Sequence, residues 1–214
     1  MEIIMSLELQ HELIYPNELV KDDLDQLVSR LKKLYTWYSP GATEEKIRVR
    51  ITAHPNTEID LFTNNGEVVA FGICVVMTLS TSEKCLFRHG TVIADEYRSQ
   101  GLYRRLFALA ESRHEVSWYA TRTQNPRVYE TWFKLFGDNL YPRPAVPLSE
   151  ELRALAVEIA KSNALNTETF VARGVYKEDR TGAEYHQCRE PWIQEFFRSR
   201  LGVNDAFLLL ARVG

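Results

Sequence analysis

Apolar residues recur along this chain with two different periods. In "LELQHELIY" (Leu7 to Tyr15) they alternate imperfectly with polar ones, which predicts a first strand. Val20, Leu24, Leu27, Val28 and Leu31 then recur at helical spacing. Asp22, Asp23 and Asp25 lie near the start of that helix, where carboxylates suit the positive end of its dipole. "SPG" (Ser39 to Gly41) breaks the helix, and "ATEEKIRVRIT" reads as a second, short one. "TEIDLFT", the turn "NNG" (Asn64 to Gly66) and "EVVAFGICVVMTLS" together read as a β-hairpin whose second strand is long and apolar.

"CLFRHGTVIA" (Cys85 to Ala94) follows as another strand, "VSWYATRT" as a further one, and "NPRVYETWFKLF" as a helix. Beyond residue 138 the pattern is less regular. Leu152, Leu155, Ala156 and Ile159 mark a helix after Ser149, "TETFVARGVY" reads as a strand, and "PWIQEFFRSR" as a short helix. "AFLLLARV" (Ala206 to Val213) reads as a buried closing strand. The element order predicts an α+β fold, a mixed and largely antiparallel sheet flanked by helices. Residues 1–214 are expected to form one domain with an elaborated C-terminal third, about 138–214.

Composition narrows the class. The chain has 214 residues, 45% of them hydrophobic, enough to bury a full core. The net charge of −3 and the absence of a Lys/Arg block argue against a general nucleic-acid binder. Cys74, Cys85 and Cys188 are odd in number and lack metal-ligand spacing, which favours a reducing compartment. No run approaches the ~18 apolar residues a membrane span needs, and the N-terminus lacks a basic n-region. The expectation is a cytoplasmic protein without a membrane or nucleic-acid partner. No metal is expected either, since His, Cys and acidic residues do not cluster at ligand spacing.

The stretch "DEYRSQGLYRRLF" (Asp95 to Phe107) carries the first chemical signal. A strand that ends in a glycine turn and enters a helix leaves the first helical N–H groups without intrahelical partners, and the dipole adds positive charge there. Such an end attracts phosphate. Gly101 lets a ligand approach the backbone, while Leu102, Leu106 and Leu109, widened by Phe107 and Ala110, anchor the helix on the sheet. A plain strand-turn-helix joint explains the same residues. One strand later, Asn125 and Pro126 suit the N-cap and first position of a helix.

Taken together, "IADEYRSQGLYRRL", "VSWYATRT" and "NPRVYETWFKLFG" resemble, in order and spacing, the two signature motifs of the GNAT superfamily of acyl-CoA-dependent N-acetyltransferases. The likeness is strong over Cys85 to Gly137. It implies a GNAT-like fold and acetyl-CoA as acyl donor. The family's pyrophosphate loop has the pattern Arg/Gln-x-x-Gly-x-Gly/Ala, matched here by Arg98, Ser99, Gln100, Gly101, Leu102 and Tyr103, with Tyr103 replacing the second small residue. The resemblance implies that the backbone around Ser99, Gly101, Leu102, Tyr103 and Arg104 grips the CoA pyrophosphate. It places Asn125 near the pantetheine and adenine end of CoA. Where a typical member carries the tyrosine that protonates the leaving thiolate, this chain has Trp132; Tyr129, three residues earlier on nearly the same helical face, is the candidate acid.

Acyl transfer to an amine requires in-line positioning, removal of a proton, and polarisation of the thioester carbonyl by an N–H donor. The resemblance assigns that donor to about Val92 or Ile93. His89 is the candidate base: it shares strand parity with Phe87, Thr91 and Ile93, and an imidazole titrates near ~6.5. A hydrogen-bonded sheet histidine, or one facing solvent beside Arg88, is an at least equal alternative. His54, His114 and His186 lie in poorer contexts, and His11 shows no partner in the sequence. For the acceptor, Tyr35, Trp37 and Tyr38 in "LYTWYSPG" could stack on a flat or cationic amine, or simply pack. Glu178, Asp179 and Glu184, in the charged segment Tyr176 to Trp192, could receive an amine or be solvated.

The leading expectation is an N-acetyltransferase moving acetyl from acetyl-CoA to a primary amine of a small molecule or peptide, with a homodimer allowed. The alternatives are an acyl-CoA-binding or interaction module without transfer, and a transferase for longer acyl groups.

Overall fold

A computed structural model describes residues 9–36, 41–161, 164–176 and 188–213. Trp37, Tyr38, Glu178, Asp179, Glu184 and His186 lie outside the described residues. The chain divides into two compact units, one from Met1–Met77 and Arg88–Glu115, the other from Thr78–Phe87 and Val116–Gly214. Both are sheets flanked by helices, the α+β class the element order predicts.

In the first unit β1 (Gln10–Ile14), β2 (Thr57–Asn64) and β3 (Glu67–Thr78) form an antiparallel sheet. Asn64 faces Glu67 across a tight turn in which Asn65 and Gly66 have φ of 48° and 80°, the two positive values a type I′ hairpin turn needs. Side chains alternate across this sheet, so its two faces carry different cores. Ile59, Leu61, Phe71 and Ile73 point toward α1 (Lys21–Tyr35) and α2 (Glu44–Thr52), where Leu27, Leu31, Ile47 and Ile51 meet them. Phe62, Val69 and Ala70 face the opposite way, onto Leu102 and Leu106 of α3 (Leu102–Arg113). Each fully buried side chain of this kind contributes roughly 1.5–3 kcal/mol. β4 (Lys84–Ile93) gives its last six residues to this unit, and the backbone N–H of Ala94, just after it, donates to Val69 O at 2.9 Å.

In the second unit β5 (Trp118–Thr123) runs antiparallel to the C-terminal strand β9 (Ala206–Arg212), from Trp118 opposite Arg212 to Thr123 opposite Phe207. The other edge of β9 takes two short partners, β8 (Val171–Ala172) near its start and β6 (Leu140–Tyr141) near its end, and β8 pairs in turn with β7 (Leu165–Asn166). Residues Ala206 to Ala211 are fully buried, as the apolar run predicts. α4 (Pro126–Phe136), α5 (Glu150–Ala160) and α6 (Pro191–Arg200) complete the unit. Phe196 and Phe197 of α6 lie 4.8 and 4.9 Å, ring to ring, from Phe207.

The expected strand "TETFVARGVY" is cut to Val171–Ala172. Asn166 Oδ1 accepts from the N–H groups of Glu168 and Thr169 at 2.9 and 3.1 Å, and Phe170 adopts φ 56°, so the preceding residues form a turn. β6 was not predicted, because two residues cannot display alternation. No helix among the described residues is long and apolar enough to cross a membrane.

Candidate functional site

Three helices receive a side-chain cap: Thr43, Asn125 and Ser149 accept from the backbone N–H of Lys46, Arg127 and Leu152. α3 is entered differently. After β4 the chain makes one 3-10 turn at Asp95–Tyr97, and Ser99 and Gly101 then take left-handed conformations, with φ of 63° and 79°. Gly101 occupies the N-cap position and has no side chain with which to cap the first N–H groups of the helix. A Cβ on Gly101 would meet nothing within 4 Å among the described residues, so they leave the backbone open on that side. The loop is held from below: Asn64 Nδ2 donates to Tyr97 Oη at 2.7 Å, Gln100 Nε2 donates to Glu96 O at 2.7 Å, and Arg98 pairs with Asp95 at 2.6 Å. Leu102 is buried while Ser99, Gln100, Gly101 and Arg104 are exposed. Left-handed residues next to uncapped amides make an anion-binding concavity.

Tyr103, the bulky residue in this loop, sets its ring against Arg88. Arg88 is 2% exposed, and its guanidinium lies 4.9 Å from the Tyr103 ring centroid and 5.1 Å from that of Phe107. Arg88 Nη2 also donates to Thr91 Oγ1 at 2.6 Å.

The expected parity of His89 is corrected by these contacts. Arg88, Thr91 and Ile93 face α3, whereas Val92 belongs to the core formed with α1 and α2, and Gly90 abuts Arg50 of α2. Strict alternation would place Arg88 with Gly90 and Val92, so the strand slips by one position between them, as at a β-bulge. His89 therefore parts from Thr91 and Ile93, and its ring meets His54 edge-on at 5.9 Å. The slip exposes the His89 carbonyl to Arg50, whose Nη2 donates to it. Arg50 Nη1 donates to Tyr35 Oη at 2.5 Å, and Tyr35 in turn stacks on Phe71 at 5.9 Å.

In the second unit Asn125 caps α4 through its side chain at 2.9 Å, and its own N–H donates to Thr123 Oγ1. Tyr129 is 0% exposed; its hydroxyl donates to Pro142 O at 2.9 Å, and its ring packs among Phe133, Trp192, Phe196 and Phe197. Burial pushes its pKa above the usual tyrosine range, with the Arg143 charge opposing. Trp132 is also fully buried.

A polar cluster on the α3 face of β2 was not read from the sequence. Asp60 and Glu58 are buried, and Arg113 spans both, donating to Asp60 at 2.7 and 2.9 Å and to Glu58 at 3.0 and 3.2 Å. His11 and His114 contact the same acids at 2.9 and 2.7 Å. Two acids set among Ile59, Leu61 and Phe62 in "TEIDLFT" were the available signal, because a buried carboxylate requires partners. Cys74, on the same face, has its thiol pushed up to about 11 by burial, with Arg88 opposing. Among the described residues no group of three or more His, Cys, Asp and Glu could hold a metal ion.

No family model matches the chain, and no curated protein matches it. Solved structures do. A GNAT family acetyltransferase from Staphylococcus aureus is 20% identical at a TM-score of 0.39, with 49% of this chain and 76% of that one covered. An IAA acetyltransferase from Bacillus cereus is 12% identical at a TM-score of 0.46, over 96% of this chain and 99% of that one. An aminoglycoside N-acetyltransferase in complex with CoA is 11% identical at a TM-score of 0.47, over 66% of this chain and 95% of that one.

Proposed function

We propose that this chain is a GNAT-type N-acetyltransferase, residues 1–214 acting as one domain, that moves acetyl from acetyl-CoA to a primary amine of a small molecule or peptide. The observation that carries this reading is the entrance to α3, where Ser99 and Gly101 are left-handed, the N-cap residue offers no side-chain cap, and a Cβ on Gly101 would meet nothing within 4 Å among the described residues. That geometry suits a pyrophosphate held by the amides from Ser99 to Arg104, with Arg98 and Gln100 bracing the loop. Tyr103 does not obstruct it, since backbone donors are indifferent to a side chain turned toward Arg88. The N–H of Val92 or Ile93 polarises the thioester carbonyl, and His89 accepts the amine proton.

In the reaction the ammonium loses a proton to the base, its nitrogen bonds the acetyl carbon, the C–S bond breaks as the nitrogen gives up a second proton, and the CoA thiolate takes up one proton and leaves as the thiol. Calorimetric titration should show saturable acetyl-CoA binding; none at about millimolar ligand overturns the reading. Gly101→Ala, strained by roughly 1–2 kcal/mol at positive φ, should weaken that binding about tenfold. Thiol release screened against polyamines, amino acids, aminoglycosides, arylamines and peptides then identifies the acceptor, and His89→Gln should lower turnover more than acetyl-CoA affinity.

The buried hydroxyl of Tyr129 and the buried Trp132 favour one second reading, an acyl-CoA-binding module without transfer. Acyl-CoA binding with no amine-stimulated thiol release across the panel selects it.

A further inference from the structure

The three basic residues of α2 are treated differently by their surroundings. Lys46 donates to Gly41 O at the helix start, and Arg48 pairs with Asp25. Arg50 is half-buried and has no carboxylate partner among the described residues. Its two hydrogen-bond acceptors, Tyr35 Oη and His89 O, are neutral, and its Nε–H is buried without an acceptor among the described residues. Neutral acceptors orient a guanidinium without cancelling its charge. The Tyr35 ring beneath it, 5.8 Å from Cζ to the centroid, adds to that orientation. Gly90 lies beside it: a Cβ there would come within 3.1 Å of Nη2, so a side chain at this position would push the guanidinium aside by a few tenths of an ångström.

We infer that Arg50 is a carboxylate-binding residue that holds an acidic group of the amine acceptor, which makes the acceptor an amino acid or another amine bearing a carboxylate near the amine. The inference rests on the transferase reading above. A guanidinium with a fixed plane and N–H groups to spare takes a carboxylate in two-pronged fashion, and does so better than a lysine could. The carbonyl that fixes Arg50 belongs to His89, so the residue assigned to receive the amine proton and the residue assigned to receive the carboxylate are joined through one bulged strand position. An α-amino acid, with both groups on one carbon, suits that coupling.

The test compares proteinogenic L-amino acids with their amides in the thiol-release assay, with acetyl-CoA affinity measured separately by calorimetry. The expected result is an amino-acid kcat/KM about tenfold or more above that of the matching amide. Arg50→Gln should abolish that ratio and leave acetyl-CoA affinity unchanged, and Arg50→Lys should restore part of it. Tyr35→Phe, which removes one orienting contact, should raise KM for the amino acid alone. Equal kcat/KM for acid and amide in the unaltered protein, or a ratio that survives Arg50→Gln, overturns the inference while leaving the transferase reading intact. Absence of acetyl-CoA binding removes the transferase reading and the inference with it. Since Arg50→Gln also removes two structural hydrogen bonds, the Nε–H resonance of Arg50 in the unaltered protein gives an independent readout. It should shift on titration with the favoured amino acid and stay in place with its amide; a resonance that ignores both overturns the inference.

Discussion

The guanidinium of Arg88 lies 4.9 Å from the centroid of the Tyr103 ring, joining β4 to the first turn of α3. Arg88 is buried, so the aromatic faces of Tyr103 and Phe107 stand where water would otherwise solvate the cation. A desolvated cation–π contact is worth about 2 kcal/mol. Tyr103→Ala, which returns the loop to the small residue of the resembled pattern, should therefore lower stability by about 2–4 kcal/mol, counting lost packing. It should leave the CoA dissociation constant within about threefold, because the phosphate donors are backbone amides. Urea unfolding and calorimetry measure the two quantities on one variant.

The Arg113 bridge between Glu58 and Asp60 gives a larger effect. Burial by itself would lower the pKa of Arg113, but hydrogen bonds and charge from Asp60, then Glu58, raise it above the usual arginine value. Arg113→Met leaves the two buried carboxylates with only His11 and His114 beside them, and should cost about 3–5 kcal/mol in urea unfolding. Adding Glu58→Gln and Asp60→Asn in the same chain should recover much of the loss, since the penalty comes from uncompensated charge.

Legibility followed the length and regularity of each signal. α1, α2, the β2/β3 hairpin, α3, α4 and β9 were readable because each repeats its period several times or is closed by a turn signal such as Asn65-Gly66. The two-residue strands were not, having no period to show. His89 illustrates a subtler failure: parity counting assumes unbroken alternation, and one slipped residue between Arg88 and Thr91 sends the imidazole to the opposite face. Arg50 and Arg88 drew no functional reading because a lone arginine in a helix or strand carries no spacing pattern; only the fold shows that Arg88 lies over two rings and that Arg50 has no carboxylate partner among the described residues.

Glu130 sets an acid-side dependence in the second unit. Burial by itself would raise its pKa, but hydrogen bonds from Lys134 Nζ and the Arg189 N–H hold it below the ordinary 4.5. A carboxylate depressed in the folded state contributes stability that is fully present above its unfolded pKa and is lost as pH falls through the folded one. Glu130→Gln should thus lower Tm at about pH 7 while narrowing the difference in Tm between about pH 7 and about pH 3. A difference as wide as in the unaltered protein would show that the contacts to Lys134 and Arg189 do not discriminate between the charged and neutral carboxyl.

Tyr129 separates a chemical role from an architectural one. A side chain that protonates the departing thiolate must reach it, and its removal lowers turnover by about 100-fold or more with little effect on folding. The hydroxyl of Tyr129 is instead committed to Pro142 O, inside a cage of four aromatic rings. Tyr129→Phe keeps the ring and leaves one buried carbonyl without its donor, which costs about 1–3 kcal/mol. The expected outcome is a lower urea midpoint at unchanged slope, with kcat for thiol release within about threefold of the unaltered protein. In that outcome the proton reaches the thiolate by another donor or by water, and Trp132 at the resembled acid position is no obstacle to catalysis. A loss of about 100-fold in kcat with an unmoved midpoint would return the acid role to Tyr129.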